Sequence, residues 1–221
     1  GVAKSVVRES YDDKGALIDK QEIKNIKIDA RGNIELQTIV TKDPLGTFLS
    51  KSEVANSGFD SRGNPALTTR KNFDEKNVLI ASQDVKNLEY DARGNVLRQE
   101  IINKDAAGVI LGTNKITNTG FNIKGNPTET VRESFDEAGK LVDTVKTKNL
   151  KFDVRGNVLE QTLETFDVDG ALVNRQEIRN SKYNSRGNAG FTVRKTFDAA
   201  GNLTDFSETT NTSFDARGNV V

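Results

Sequence analysis

One signature returns seven times along the chain at an unvarying interval of 31 residues, starting at Ile28, Phe59, Tyr90, Phe121, Phe152, Tyr183 and Phe214. It reads aromatic or Ile, then Asp or Asn, any residue, Arg or Lys, Gly, Asn. Its polar positions are Asp29, Gly32 and Asn33; Asp60, Gly63 and Asn64; Asp91, Gly94 and Asn95; then Gly125 and Asn126; Asp153, Gly156 and Asn157; Gly187 and Asn188; and Asp215, Gly218 and Asn219. A second signature runs in step: Asp12, Asp43, Asp74, Asp105, Asp136, Asp167 and Asp198, each followed three residues later by Gly15, Gly46, Asn77, Gly108, Gly139, Gly170 or Gly201. A fixed period of this size marks an array whose units pack mainly on their neighbours.

Both signatures are turn chemistry. Asp or Asn in the first position accepts a backbone N–H two residues on. The next two positions tolerate most residues, as a type I turn does, and Pro44 stands where that turn favours proline. Gly in the fourth position supplies the left-handed conformation that closes a hairpin with a G1 bulge, and Asn77 is the next most tolerant residue there. Between turns lie segments rich in Ile, Val, Thr, Phe and Tyr, such as Ile34 to Lys42 and Thr47 to Phe59, with no sustained helical period. The expected fold is all-β: tandem 31-residue repeats of antiparallel β-hairpins in an elongated, twisted or spiralling sheet. The alternative is a β-solenoid with one coil per repeat. Residues 1–221 read as a single array of seven repeats cut from a longer protein.

Several columns run through the repeats. Leu17, Phe48, Leu79, Ile110, Leu141, Leu172 and Leu203 are followed directly by Ile18, Leu49, Ile80, Leu111, Val142, Val173 and Thr204. Strict strand alternation sends neighbours to opposite faces, so this end of the sheet is expected to be covered on both sides, by another layer of the spiral or by a neighbouring chain. Aromatics precede the turns: Phe59, Tyr90, Phe121, Phe152, Tyr183 and Phe214 in one series, Tyr11, Phe73, Phe135, Phe166 and Phe197 in the other. They read as hairpin packing, with a stacking surface for sugars or bases as the functional alternative. Asn25, Asn56, Asn87, Asn118, Asn149, Asn180 and Asn211 stand in mid-strand, where Asn is disfavoured. The expected cause is an amide satisfying backbone groups at a bulge or bend; a glycan-binding ladder is the alternative. Arg8, Arg70, Arg132 and Arg194 alternate with Ile39, Ile101 and Leu163, so a paired unit of 62 residues is the alternative to the single repeat.

Composition excludes more than it suggests. Lys and Arg number 32, as do Asp and Glu, so net charge is zero and neither a nucleic-acid groove nor a polybasic membrane patch is expected. No apolar run approaches the roughly 18 residues of a membrane span. The chain lacks Cys and His, hence thiolate metal sites, a Cys nucleophile and the commonest general base. Asp167-Val168-Asp169-Gly170 opens like a calcium loop, but Ile178 stands where the closing Glu is needed. The basic row from Arg31 to Arg217 reads as a solvated edge that discourages edge pairing, an anion-binding strip being the weaker reading. No enzyme activity, cofactor or metal is expected.

Tyr90-Asp91-Ala92-Arg93-Gly94-Asn95-Val96-Leu97 and Phe197-Asp198-Ala199-Ala200-Gly201-Asn202-Leu203 resemble the YD repeats of the RHS family. The resemblance implies β-hairpins that spiral into a hollow shell, often around a toxin domain, or a place in bacterial surface and cell-contact proteins. The expected function is thus a non-catalytic structural or interaction module (scaffold, stalk, adhesin or shell), bacterial and extracellular or at the cell surface. A carbohydrate-binding array is the alternative. The expected partners are other repeats of the same protein and a cell-surface or glycan partner.

Overall fold

The computed structural model describes residues 2–11, 15–184 and 187–212. Their regular structure is all β. The strands are β1 (Ser5–Tyr11), β2 (Leu17–Ile28), β3 (Ile34–Lys42), β4 (Phe48–Ser57), β5 (Leu67–Phe73), β6 (Leu79–Tyr90) and β7 (Val96–Asp105), then β8 (Ile110–Phe121), β9 (Pro127–Phe135), β10 (Leu141–Phe152), β11 (Val158–Phe166), β12 (Leu172–Ser181), β13 (Phe191–Asp198) and β14 (Leu203–Thr210). They follow one another in chain order through one open antiparallel sheet. The hairpin expectation holds, and the solenoid, which needs parallel neighbours, is set aside. The reason is local: each Asp-to-Gly turn among the described residues reverses the chain before any helix or crossover could form.

Among the described residues two compact units can be distinguished, one of 2–88 with 99–113 and one of 89–98 with 114–212. In the first, β1 to β6 pair in succession. In the second, β9 to β14 do the same. Within each unit, strands touch their sequence neighbours, so cohesion is a series of nearest-neighbour terms.

Neither unit has a layered core. Ile178 is the one buried apolar side chain among the described residues; Ser10, Asp19 and Thr41 are the buried polar ones. Most strand residues are half-buried, shielded by cross-strand neighbours rather than by a second layer.

Within either unit the described residues do not cover both faces beside the second turn. Leu79 is half-buried, but Ile80 is 54% exposed, and Leu49, Leu111, Val142 and Val173 are also open. A bulge explains it. Phe73 pairs with Leu79 and Asn72 with Ala81, leaving Ile80 as an extra residue; Leu49, Val142 and Val173 are skipped in the same way. Two adjacent residues then oppose one, and strict alternation no longer applies.

Candidate functional site

The Arg-Gly-Asn turns are five-residue hairpin loops. Asp29 N–H donates to the Asn33 carbonyl and Gly32 N–H to the Asp29 carbonyl. Gly32 takes φ 91°, the left-handed region that closes the bulge. Asp29 Oδ1 accepts from the N–H groups of Arg31 and Asn33 at 2.9 and 2.8 Å, and its Oδ2 accepts from Asn33 Nδ2 at 2.8 Å. The same three bonds recur at Asp60, Asp91 and Asp153. They hold the carboxyls below their ordinary pKa: at Asp29 the Asn33 amide contributes most, at Asp60 the Asn64 N–H. Where Asn122 replaces Asp, it accepts from the Lys124 and Asn126 N–H groups. The Asn126 amide then donates to the Gly156 carbonyl of the next turn at 2.9 Å. At Asn184 the Asn188 N–H donates likewise, while Asn188 Nδ2 is buried without a partner. Asp215, Gly218 and Asn219 lie outside the described residues.

Several of these turns reach the next. Arg31 donates to the carbonyls of Asp60 at 3.0 Å and Phe59 at 3.4 Å. Arg93 does so to Asn122 and Phe121, and Arg155 to Asn184. These members of the basic row are therefore not simply solvated, as the sequence suggested, but spent on neighbouring backbone. A Cβ on Gly63 would fall 2.5 Å from Asn33 Oδ1, one on Gly125 2.5 Å from Asn95 Oδ1, and one on Gly187 2.8 Å from Asn157 Oδ1. The Asp-x-x-Gly turns differ: a Cβ on Gly15, Gly46, Gly108, Gly139, Gly170 or Gly201 would meet nothing within 4 Å.

The Asn column makes one contact throughout. Asn25 donates to Ala3, Asn56 to Ile34, Asn87 to Pro65, Asn118 to Val96, Asn149 to Pro127, Asn180 to Val158 and Asn211 to Ala189, each to the carbonyl 22 residues back. Their Oδ1 atoms accept from side chains that alternate: Gln37, Thr68, Gln99, Thr130 and Thr192 reach Asn25, Asn56, Asn87, Asn118 and Asn180. Backbone alternates in step. In one hairpin type Asn25 pairs with Gln37 and Lys27 with Leu36, so Ile26 is a bulge residue, as Leu150 is beyond Asn149. In the other, Gly58, Gly120 and Lys182 take positive φ, and Ala66 and Gly190 N–H groups donate to the carbonyls of Gly58 and Lys182.

Apart from Tyr11, which is 46% exposed, the described aromatics before the turns are engaged from within the chain or half-buried. Lys51, Lys115, Lys146 and Arg175 sit over the rings of Phe73, Phe135, Phe166 and Phe197 at 4.0 to 4.7 Å. Phe59, Tyr90, Phe121, Phe152 and Tyr183 are half-buried, and the Tyr183 hydroxyl donates to the Val158 carbonyl. Phe214 lies outside the described residues. In the loop that opens like a calcium site, Asp167 Oδ1 accepts from the Asp169 and Ala171 N–H groups, closing an ordinary turn. No group of three or more metal-ligating side chains stands together among the described residues.

No family model matches the sequence, and no curated protein matches it. Solved structures give remote likenesses. A crystal structure of TcdB2-TccC3-TEV is 14% identical over 89% of this chain and 12% of that one, with a TM-score of 0.21. A Photorhabdus luminescens Tc holotoxin pore is 13% identical over 97% and 13%, with a TM-score of 0.15. A crystal structure of TcdB2-TccC3 is 14% identical over 93% and 12%, with a TM-score of 0.14. The chain thus spans about an eighth of the length of the proteins it resembles, and a likeness of that strength carries no functional argument.

Proposed function

We propose that this chain is a non-catalytic structural module of a bacterial surface or secreted protein, a scaffold whose repeats are tied one to the next. The observation that supports this most is the Asn column, which spends its amide on the chain's own backbone in every repeat. The arginines of three turns do the same. The turn carboxyls are hydrogen-bonded and held ionised, which suits caps rather than general acids. Placement at the cell surface or outside the cell rests on the resemblance to YD repeats.

A carbohydrate-binding array along the aromatic and Asn columns is less well supported, because the Asn amides and four of the phenyl faces already have intramolecular partners. Limited proteolysis of the wild type and an Asn87→Ser, Asn118→Ser double variant tests the scaffold reading, together with a glycan array. Expected are faster digestion of the variant and no micromolar glycan binder. Equal protease resistance, or micromolar capture abolished by the same substitutions, would overturn it.

A further inference from the structure

Four arginines share one column at 62-residue intervals, Arg8, Arg70, Arg132 and Arg194, and eleven residues after three of them stands an aspartate: Asp19, Asp143 and Asp205. After Arg70 the same position is Ala81. The register makes this residue the diagonal cross-strand neighbour. Arg132 faces Val145 while Ser134 faces Asp143, and Arg132 Nη2 lies 3.8 Å from Asp143 Oδ1. Arg8 and Arg194 stand in the same relation to Asp19 and Asp205.

Arg70 has no such counter-charge. It faces Val54 on one side and Gln83 on the other, and its strand neighbours on that face are Thr68 and Asn72. Its direct and diagonal cross-strand neighbours are all neutral. Where the aspartate would stand there is a depression of about 280 Å³, lined by Arg70, Asn72, Ala81, Gln83, Asn103 and Leu111 among others. Asn72 Oδ1 accepts from Ser52 Oγ at 2.9 Å and Asn103 Oδ1 from Gln83 Nε2 at 2.8 Å, so both Nδ2 groups remain as donors. Lys104, also on the rim, is committed to Asp84 at 2.6 Å.

We propose that this depression binds the carboxylate of a small polyhydroxylated acid of the uronic-acid class, a role that goes beyond the scaffold reading and does not depend on it. The planar guanidinium of Arg70 takes a carboxylate through two parallel N–H bonds. The Asn72 and Asn103 amides suit hydroxyl groups, and the exposed Leu111 side chain suits the apolar face of a sugar ring. The volume holds one ring rather than a chain. In chemical terms the ligand replaces the carboxylate that the sequence supplies at the other three arginines.

The test is an NMR titration of the whole chain at low salt with glucuronate, glucose and inorganic phosphate. Glucuronate is expected to shift the Asn72 and Asn103 side-chain amide resonances with a Kd of about 1 mM, the affinity expected of a ligand of that size. Glucose should bind at least about tenfold more weakly, each tenfold being 1.4 kcal/mol. Ala81→Asp restores the internal carboxylate and should weaken glucuronate about tenfold or more while the chain stays folded; Arg70→Gln should do the same. Three results would each overturn the proposal: no shift of those amides, phosphate binding as tightly as glucuronate, or undiminished glucuronate binding by Ala81→Asp.

Discussion

Gly46 and Gly63 have nearly the same backbone conformation, φ 89° and 88°, in very different surroundings. Nothing lies within 4 Å of where a Cβ on Gly46 would stand, whereas on Gly63 it would fall 2.5 Å from Asn33 Oδ1. Gly46→Ala therefore meets only the left-handed penalty, about 1 kcal/mol. Gly63→Ala must also displace the Asn33 amide from its bond to Asp29, which adds about 1 kcal/mol. Urea denaturation of the two variants measures the difference, and equal losses would deny that the Arg-Gly-Asn turns are the tighter edge. Acid acts on the same turns. Asp29, Asp60 and Asp198 are held below their ordinary pKa by hydrogen bonds, largest from the Asn33 amide, the Asn64 N–H and the Asn202 amide. A lowered folded pKa contributes stability that is complete above the unfolded value and lost as pH falls through the folded one. The thermal midpoint should thus hold level down to about pH 4, near the reference value for Asp, and drop below it. In an Asp29→Asn, Asp60→Asn, Asp198→Asn variant the acid drop should be shallower; an unchanged acid limb would show that these caps do not set it.

At the scale of strands and hairpins, the Asn column turns spacing into contact. Asn87 donates to the Pro65 carbonyl and accepts from Gln99, while Asn149 donates to Pro127 and its Oδ1 has no partner. At about 1 kcal/mol per net hydrogen bond, Asn87→Ala should cost about 2 kcal/mol and Asn149→Ala about half that. Gln99→Ala should bring Asn87 down to the level of Asn149; denaturant titration of the three variants checks the order, and an Asn149→Ala loss equal to that of Asn87→Ala would break it. The turns were legible in the sequence because a hairpin loop is written in consecutive residues, Asp29 to Asn33. The bulge at Ile26 was legible in part, since the disfavoured Asn25 beside it pointed to a bulge or bend. The one at Ile80 was not: whether Ile80 is an extra residue depends on the register with the strand paired across the turn, and no local pattern marks it. For that reason Leu79 and Ile80, apolar neighbours, read as a strand buried on both faces, when the bulge leaves Ile80 open. The destination of Arg31 was equally hidden, since a basic residue in a turn looks the same whether it faces water or the next carbonyl. The depression at Arg70 did leave a trace, the missing aspartate at 81, visible only when alternate repeats are compared.

For the whole molecule the question is which unit the chain is built from. All seven repeats share the turns and the Asn column, which argues for 31 residues. The hairpin halves argue for 62. Asn56 leads through Ser57 and Gly58 into a return strand whose Ala66 N–H bonds back to Gly58, with Thr68 on the Asn56 amide oxygen. Asn25 leads through the Ile26 bulge into a return strand that presents Gln37 instead. An incoming half of one type cannot pair with a returning half of the other without moving the bulge. Removing residues 63–124 joins Arg62 to Gly125 and leaves a complete turn between matching halves, with Thr130 in the place of Thr68. Removing residues 63–93 joins Arg62 to Gly94 and sets the Gly58 half against the half that carries Gln99. In a nearest-neighbour array, a deletion that keeps every junction costs only the lost units, while a mismatched junction costs an interface term as well. The longer deletion should therefore unfold cooperatively at close to the parental midpoint. The shorter one, though it keeps more of the chain, should lose about 2 kcal/mol at its faulty hairpin through unmade hydrogen bonds. Thermal and urea unfolding of the two proteins decide it. If the 31-residue deletion proves the more stable, the alternation is inherited history, and the single repeat is the physical unit.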